Sequence, residues 1–463
     1  METSWKELVT LLEGSQDAGN LAGDALVGVV EEADLASVWH HLVTHLLLSS
    51  SLSTRLNASM ALGKLATSFQ GTLMEMIGSG QSDGELLAFD EIVVETVVAA
   101  GTELLSGASD YDKMGKDRHH LYSEKWVAIQ RRELRKRLGM ESGAAGGRRT
   151  EKYSTTADEI LQAHDVICAY DGGESGNGGQ DSSAASSGST ESCSVESWAV
   201  RLVRFMVVGL LDSRWETRHG CSMGLGAVLN GIYPVSSSPS SSLSSSSSSC
   251  EYTPRRDSSP SPPCFLVEDI LCGSVSVLIL DRFFDFSSSV VNSCPVKETV
   301  GMLVARVSRY RDGHFGGVPP IIRKAFDMAR HEKYWTIRHG GLIVLKYLLP
   351  LHIELAYSEA NAAVGIVQTS LQEPFDDMHC SAAQLITSLG LVLLSGDSDI
   401  TNNMGVGIQL CASLMVALAS ATKKVSEISQ SLPDLCTAAK ACSRTLDNLS
   451  RRHKEDAIYA DVI

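Results

Sequence analysis

The chain has 463 residues, of which 43% are apolar and only 6% aromatic, and its formal net charge is −16 at pH 7. It is roughly two to three times as long as a usual domain. The shortage of aromatic residues favours stacked helices over a β-sandwich or barrel. An acidic chain is a poor general nucleic-acid binder, because phosphate contacts need clustered lysine and arginine.

The eleven cysteines are irregularly spaced, without a Cys-x-x-Cys pair, and no secretory signal follows Met1. We therefore expect free thiols in a reducing compartment. The longest apolar run, at residues 270–280, is far shorter than the ~20 residues of a membrane helix. Secretion, a disulfide scaffold and membrane association are not expected.

The first predicted block covers residues 1–140. Its first hundred residues hold fourteen acidic side chains against three basic ones, which suits a basic protein partner better than DNA. A basic cluster near its end is a candidate nuclear-import signal or phosphate contact. Since Leu134 and Leu138 share one helix face, the solvated face of a helix is an equally good interpretation. The cluster consists of Arg131, Arg132, Arg135, Lys136 and Arg137.

Two later stretches are predicted to be disordered insertions. Residues 171–190, within a low-complexity linker at 141–190, consist mainly of Gly, Ser, Asp and Gln, and residues 236–262 are dominated by Ser and Pro. Neither holds enough apolar surface to offset the entropy of ordering. The remaining blocks, 191–235 and 264–463, show apolar residues at three- and four-residue steps and are predicted to be helical.

An internal repeat defines the fold. A Trp-x-x-Arg-His-Gly pattern begins at Trp215 and again at Trp335, 120 residues later, and 93 residues remain once 236–262 is removed. That distance is close to two units of a ~40–47-residue helical repeat. Five basic or His anchors are each followed by small or apolar residues at +3, +6 and +7. The anchors are Arg55, Arg218, Lys297, Arg338 and His379.

Residues at these positions share one helix face and allow close approach of a neighbouring helix. The pattern predicts an all-α, HEAT-type α-solenoid interrupted by the Ser/Gly-rich insertions. The alternative is an irregular helical bundle with chance similarity, against which the equal spacing of the last three anchors argues.

The repeated side chains have two interpretations each. His219 and His339, beside Arg218 and Arg338, either brace the turn between stacked helices or contact a partner. Trp215 and Trp335 either fill the groove between repeats or stand at the loop edge as binding anchors. Repetition favours the structural role in both cases, since catalytic residues rarely recur once per repeat.

No catalytic motif is present: a Walker A loop, GxSxG, HExxH and a GxGxxG after a strand are all missing. The pairs His40-His41 and His119-His120 lack the spacing of a metal site. We expect a binding protein that needs no cofactor or metal.

Four stretches resemble the TATA-binding-protein-associated factors of the Mot type, which are very long proteins with an N-terminal HEAT array and a C-terminal Swi/Snf-type ATPase. The four stretches are residues 130–139 (Gln-Arg-Arg-Glu-Leu-Arg-Lys-Arg-Leu-Gly), 214–220 (Arg-Trp-Glu-Thr-Arg-His-Gly), 280–286 (Leu-Asp-Arg-Phe-Phe-Asp-Phe) with 295–299, and 334–342 (Tyr-Trp-Thr-Ile-Arg-His-Gly-Gly-Leu) with 346–348. A fifth stretch, residues 104–112 (Leu-Leu-Ser-Gly-Ala-Ser-Asp-Tyr-Asp), is similar to a family segment that lies ahead of the first basic stretch.

The resemblance implies a nuclear, monomeric scaffold whose HEAT loops grip TATA-binding protein while a latch covers the DNA-binding surface of that protein. It places the latch within residues 98–130, and an ordinary helix end and turn is the alternative for that stretch. DNA would be reached only through that partner or through an ATPase part, which this chain does not contain. The candidate latch contacts are Leu104, Leu105 and Tyr111, and the candidate loop edges are Trp215, Phe284, Phe286 and Trp335.

Two features leave other interpretations open. The chain ends at Ile463 without an ATPase, so it is an N-terminal piece, a truncated gene model or a stand-alone HEAT protein. The Ser-rich insertions are not part of the family pattern. The alternative function is a generic HEAT adaptor, such as a transport or phosphatase scaffold with another partner.

Overall fold

The structure is a computed structural model of the whole chain, described here over the residues whose placement is defined. These residues are 5–14, 16–78, 89–101, 103–104, 197–234, 262–283, 294–310, 318–352, 359–373, 375–395, 415, 419, 435–440 and 442–444.

Helices account for nearly all of the described residues. The helix Glu32–His41 continues into a π-helical turn, Leu42–Leu46, and two 3-10 turns cover Phe89–Glu91 and Leu349–Leu351. Over the same part of the chain, the β-type pairing is a single isolated bridge between Leu104 and Asp281. The helices are α1 Trp5–Leu11, α2 Gln16–Val29, α3 Glu32–His41, α4 Leu52–Ser68, α5 Gln70–Gly78, α6 Val94–Ala100, α7 Trp198–Gly209, α8 Trp215–Ile232, α9 Cys264–Leu280, α10 Pro295–Ser308, α11 Pro319–Ala329, α12 Trp335–Leu348, α13 Ala360–Ser370 and α14 Asp376–Ser395.

Residues at the helix starts satisfy backbone groups that have no partner within the helix. Ser51 and Ser197 cap α4 and α7, since each hydroxyl accepts a hydrogen bond from the amide three residues later. Helices α10 and α11 begin with Pro295 and Pro319, where a missing N–H costs nothing.

Consecutive helices pack in pairs: α7 with α8, α9 with α10, α11 with α12, and α13 with α14. The second helix of each pair also packs on the second helix of the next, so that α4, α8, α10, α12 and α14 form a row. Helix pairs that bury a face on the next pair are the defining feature of a HEAT-type solenoid. The all-α, HEAT-type prediction is confirmed.

The predicted stripe forms the buried face of this row. In α4, Ala58, Ala61 and Leu62 are fully buried, and in α12, Leu345 is fully buried as well. The anchors Arg55, Arg218 and Lys297 are themselves completely buried. Charged residues are almost never fully buried unless they are paired, so their partners must lie inside the fold.

The glycine of the repeated motif marks a close approach to the preceding helix pair. A Cβ at Gly220 would lie 1.8 Å from the carbonyl oxygen of Leu47, and one at Gly340 would lie 2.8 Å from that of Leu278. Real Cβ atoms essentially never come within 3.0 Å of such a neighbour. Glycine is therefore required at this position of both repeats.

The expected domain boundaries remain a prediction. The linker at 141–190 lies outside the described residues, and so does the insertion at 236–262 except for Pro262. Among the helices that are described, none combines the length and hydropathy needed to span a bilayer.

Candidate protein-binding edge

The first and second helices of successive pairs meet at three short turns, residues 47–51, 210–214 and 330–334, which we call the turn edge. The repeat anchors brace these turns from inside. Four anchors each donate a hydrogen bond to the carbonyl oxygen six residues earlier, in the turn that precedes the same second helix. The bonds run from Arg55 to Ser49 at 2.6 Å, from Arg218 to Asp212 at 2.8 Å, from Arg338 to Glu332 at 3.2 Å, and from His379 to Glu373 at 2.7 Å.

Two anchors also reach an acid that follows the first helix of the next pair. Arg218 Nη2 lies 2.5 Å from Asp281 Oδ1, and both side chains are fully buried. Arg338 Nη2 lies 2.7 Å from Glu373, with about a seventh of each side chain exposed. Each arginine therefore ties its own turn to the segment that follows the first helix of the next pair.

Lys297 takes the same place in α10 with a different partner. Its Nζ donates to the backbone carbonyl of Thr336 at 2.6 Å, at the start of the next second helix. Burial, followed by the neighbouring Arg282, lowers the pKa of Lys297 to about 8. This anchor again links consecutive second helices, through a backbone oxygen.

The two tryptophans fill the space between turns. Trp215 stacks on Phe283 with ring centroids 4.3 Å apart, and the guanidinium carbon of Arg55 lies 4.8 Å from the Trp215 ring centroid. Trp335 stacks in the same way on Phe375, with centroids 4.6 Å apart. Offset stacking and cation–π contacts of this kind stabilise a packed interface. Both indoles therefore pack between repeats.

The two motif histidines lie close to the anchor of the preceding second helix, which is Arg55 for His219 and Lys297 for His339. His219 Nδ1 accepts a hydrogen bond from Arg55 Nε at 3.2 Å. Burial and the Arg55 charge lower the pKa of His219 to about 3. Burial, with Lys297 and Lys346, holds the pKa of His339 well below its usual value. Both rings are therefore neutral near pH 7 and belong to the bracing network.

The solvent-exposed residues of the turn edge were not identified by the sequence analysis. Leu52 is 59% exposed at the start of α4, and Leu211 is 43% exposed in the 210–214 turn. Arg330, Glu332 and Lys333 are exposed in the 330–334 turn. These exposed residues lie beside the repeated motif and not within it. Their position away from the buried stripe is the only sequence signal that could have indicated their exposure.

The structure places one candidate latch residue inside the core. Leu104 is 7% exposed, and its backbone is paired with the segment around Asp281, so its side chain is not available to a partner in this conformation. The remaining latch and loop candidates, and the basic cluster, lie outside the described residues. They are Leu105, Tyr111, Phe284, Phe286, Arg131, Arg132, Arg135, Lys136 and Arg137.

A metal site is not formed by the described residues: no group of three His, Cys, Asp or Glu side chains there is placed to hold an ion. The rings of His41 and His45 lie 4.7 Å apart without a third ligand. Over the described residues, the geometry of the turn edge is that of a braced protein surface.

The sequence is similar to known proteins, although no family model matches the chain. It is 26% identical over 259 residues to the TATA-binding protein-associated factor mot1 of Aspergillus fumigatus, and 24% identical over 176 residues to that of Schizosaccharomyces pombe. The chain is a homologue of these TATA-binding-protein-associated factors. The resemblance found in the motifs is therefore confirmed.

The matched region covers 54% of this chain and 13% of the Aspergillus fumigatus relative, and 36% and 8% for the Schizosaccharomyces pombe one. The chain thus corresponds to a small part of these relatives. A solved structure of the Mot1 N-terminal domain in complex with TBP aligns with 93% of this chain and 46% of that chain, with a TM-score of 0.38 and 13% identity.

Proposed function

We propose that this chain is a nuclear HEAT-repeat scaffold that binds TATA-binding protein and regulates its occupancy of promoter DNA. In a longer parent protein it would form the N-terminal, non-catalytic part of a Mot-type ATPase. The observation that carries the proposal is the sequence similarity to relatives that are named as TATA-binding-protein-associated factors. A generic HEAT adaptor would not account for that similarity.

Charge and geometry support the same partner. The surface of TATA-binding protein that holds DNA is basic, and the first hundred residues of this chain carry eleven more acids than bases. The turn edge offers exposed apolar and charged side chains on turns that Arg55, Arg218 and Arg338 hold from inside by hydrogen bonds to turn carbonyls. A preorganised edge of this kind loses little freedom on binding.

The test is a binding titration of the purified full chain with TATA-binding protein. Leu211→Asp changes an exposed residue of the turn edge, whereas Leu351→Asp changes a residue of equal exposure, 44%, at the opposite end of α12. We expect Leu211→Asp to weaken binding at least about tenfold, in the range of a contact residue near an interface hot spot. Leu351→Asp should bind like the wild type.

Absence of binding by the wild-type chain, with its helical circular dichroism intact, would contradict the proposed partner. If the two variants weakened binding equally, TATA-binding protein would remain the partner, but the interface would not lie at the turn edge. The same titration in the presence of TATA-box DNA tests whether the chain competes with DNA or leaves the complex unchanged.

A further inference from the structure

Residues 89–104 cross from the N-terminal helices to the first helices of two later pairs, and we call them the strap. The 3-10 turn Phe89–Glu91 and helix α6 pack on α9, and Lys324 of α11 contacts the strap as well. The strap therefore lies against helices that come 179 to 232 residues later in the chain, rather than continuing the pairwise stacking.

The polar contacts to the strap are made mostly to its backbone. An acid and a base on two different helices satisfy an amide and a carbonyl near the start of the strap, and the main chain at the C-terminal end of α9 pairs with the end of the strap. The contacts are Glu268 accepting from the Phe89 amide at 2.7 Å, Lys324 donating to the Ile92 carbonyl, the Leu104 amide donating to Leu280 at 2.9 Å, and the Arg282 amide donating to the Leu104 carbonyl at 2.7 Å.

The apolar contacts follow the pattern of a docked peptide. Phe89, Ile92, Val94 and Leu104 are at most 7% exposed, whereas Val93 between them is 51% exposed. Main-chain hydrogen bonds combined with pockets for selected side chains are the way in which proteins bind peptide segments. The strap is held by this combination.

The side chains that hydrogen-bond to the strap backbone belong to helices α9 and α11. Glu268 is only 4% exposed, and a buried carboxylate is costly unless it is hydrogen-bonded. Its bond to the Phe89 amide offsets part of that cost, so the groove on α9 and α11 is prepared for a peptide backbone at this place.

We propose that the groove on α9 and α11 is a peptide-binding site and that the strap is its intramolecular ligand. Only ten residues, 79–88, join α5 to the strap, and a short linker gives an effective concentration in the millimolar range. The groove is therefore closed to competing peptides while the strap is seated. The proposal does not depend on which protein the chain binds.

The experiment is a titration of the full chain with a fluorescent peptide of residues 87–106. Phe89→Ala/Ile92→Ala removes two apolar contacts of the strap and leaves the groove unchanged. Leu73→Ala/Ile77→Ala is the matched control, since it removes two buried side chains of α5 outside the strap. We expect the strap variant to bind the peptide at least about tenfold more tightly than the wild type and the control do.

Two further readouts decide the outcome. In the strap variant, hydrogen exchange at the Leu104 and Arg282 amides should rise at least about tenfold, while the helical amides of α9 and α11 stay protected. A peptide N-methylated at Phe89 should bind the variant roughly tenfold more weakly, because it cannot donate to Glu268. If the amides of α9 and α11 lost protection together with the strap, the strap would be an integral part of the core and the proposal would be wrong. The proposal would also be wrong if the strap were released and the variant still did not bind the peptide.

Discussion

Arg218 and Asp281 form an ion pair across two helix pairs, with 2.5 Å between Nη2 and Oδ1 and no solvent exposure of either side chain. The same arginine holds the turn in front of its own helix, through the carbonyls of Asp212 and Ser213. One guanidinium therefore joins three segments of the chain, and the local fold depends on its charge being matched.

The first prediction concerns this pair. Arg218→Met leaves Asp281 buried and unpaired, and we expect it to lower the free energy of unfolding by about 3–5 kcal/mol, the usual cost of breaking a buried pair. Arg338→Met at the equivalent position should cost less, since water reaches part of its ion pair with Glu373. Urea unfolding followed by circular dichroism measures both.

The double variant Arg218→Met/Asp281→Leu provides the internal control. Replacing both charges with apolar groups removes the unpaired carboxylate, so part of the lost stability should return. If the double variant were less stable than Arg218→Met alone, Asp281 would have a further stabilising role, and the ion pair would not explain its burial.

The sequence predicts the row of second helices well and the contacts between them less well. Arg55, Arg218 and Arg338 could be placed on equivalent buried faces because the +3, +6 and +7 pattern is local to one helix. Their partners could not be predicted, because Asp281 is 63 residues from Arg218 and no periodicity connects them. Phe283 and Phe375 likewise stack on tryptophans of earlier helices.

The strap was not predicted for a related reason. Residues 89–104 have a short helix and a few apolar side chains, which fit many positions in an α-helical protein. Their location on α9 and α11 depends on backbone hydrogen bonds to Glu268, Leu280 and Arg282, which leave no pattern in the sequence. The family resemblance places Leu104 among the candidate latch contacts, whereas the structure buries its side chain.

The second prediction concerns pH. Burial and Arg55 lower the pKa of His219 from 6.5 to about 3, so between these values the unfolded chain binds a proton that the folded chain does not. The stabilisation from this group is complete above pH 6.5 and is lost as the pH falls toward 3. Between pH 6.5 and 5 the loss should be about 2 kcal/mol.

His219→Gln separates this effect from general acid denaturation. Glutamine keeps an acceptor for Arg55 but has no titratable proton, so the variant should lose about 2 kcal/mol less than the wild type over the same interval. His339 remains in both proteins and contributes in the same direction. Urea midpoints at pH 6.5 and pH 5 measure the difference, and identical pH dependence of the two proteins would show that folding does not shift the pKa of His219.

The third prediction tests the close approach of the helices at the repeated glycine. A Cβ at Gly220 would lie 1.8 Å from the Leu47 carbonyl oxygen, and backbone there cannot give way without moving α8 from the preceding helix pair. We expect Gly220→Ala to destabilise the chain by about 3 kcal/mol or more, at the upper end of overpacking costs. Gly340→Ala, at 2.8 Å from the Leu278 oxygen, should cost less.

Gly28→Ala is the matched control for this substitution, since a Cβ on Gly28 in α2 would meet nothing within 4 Å. Alanine is the better helix former by about 1 kcal/mol, so Gly28→Ala should be neutral or slightly stabilising. From the highest to the lowest, the unfolding midpoints should therefore follow the order Gly28→Ala, wild type, Gly340→Ala and Gly220→Ala. A wild-type midpoint for Gly220→Ala would mean that α8 can shift away from Leu47, and that the glycine of the repeated motif is not set by helix packing.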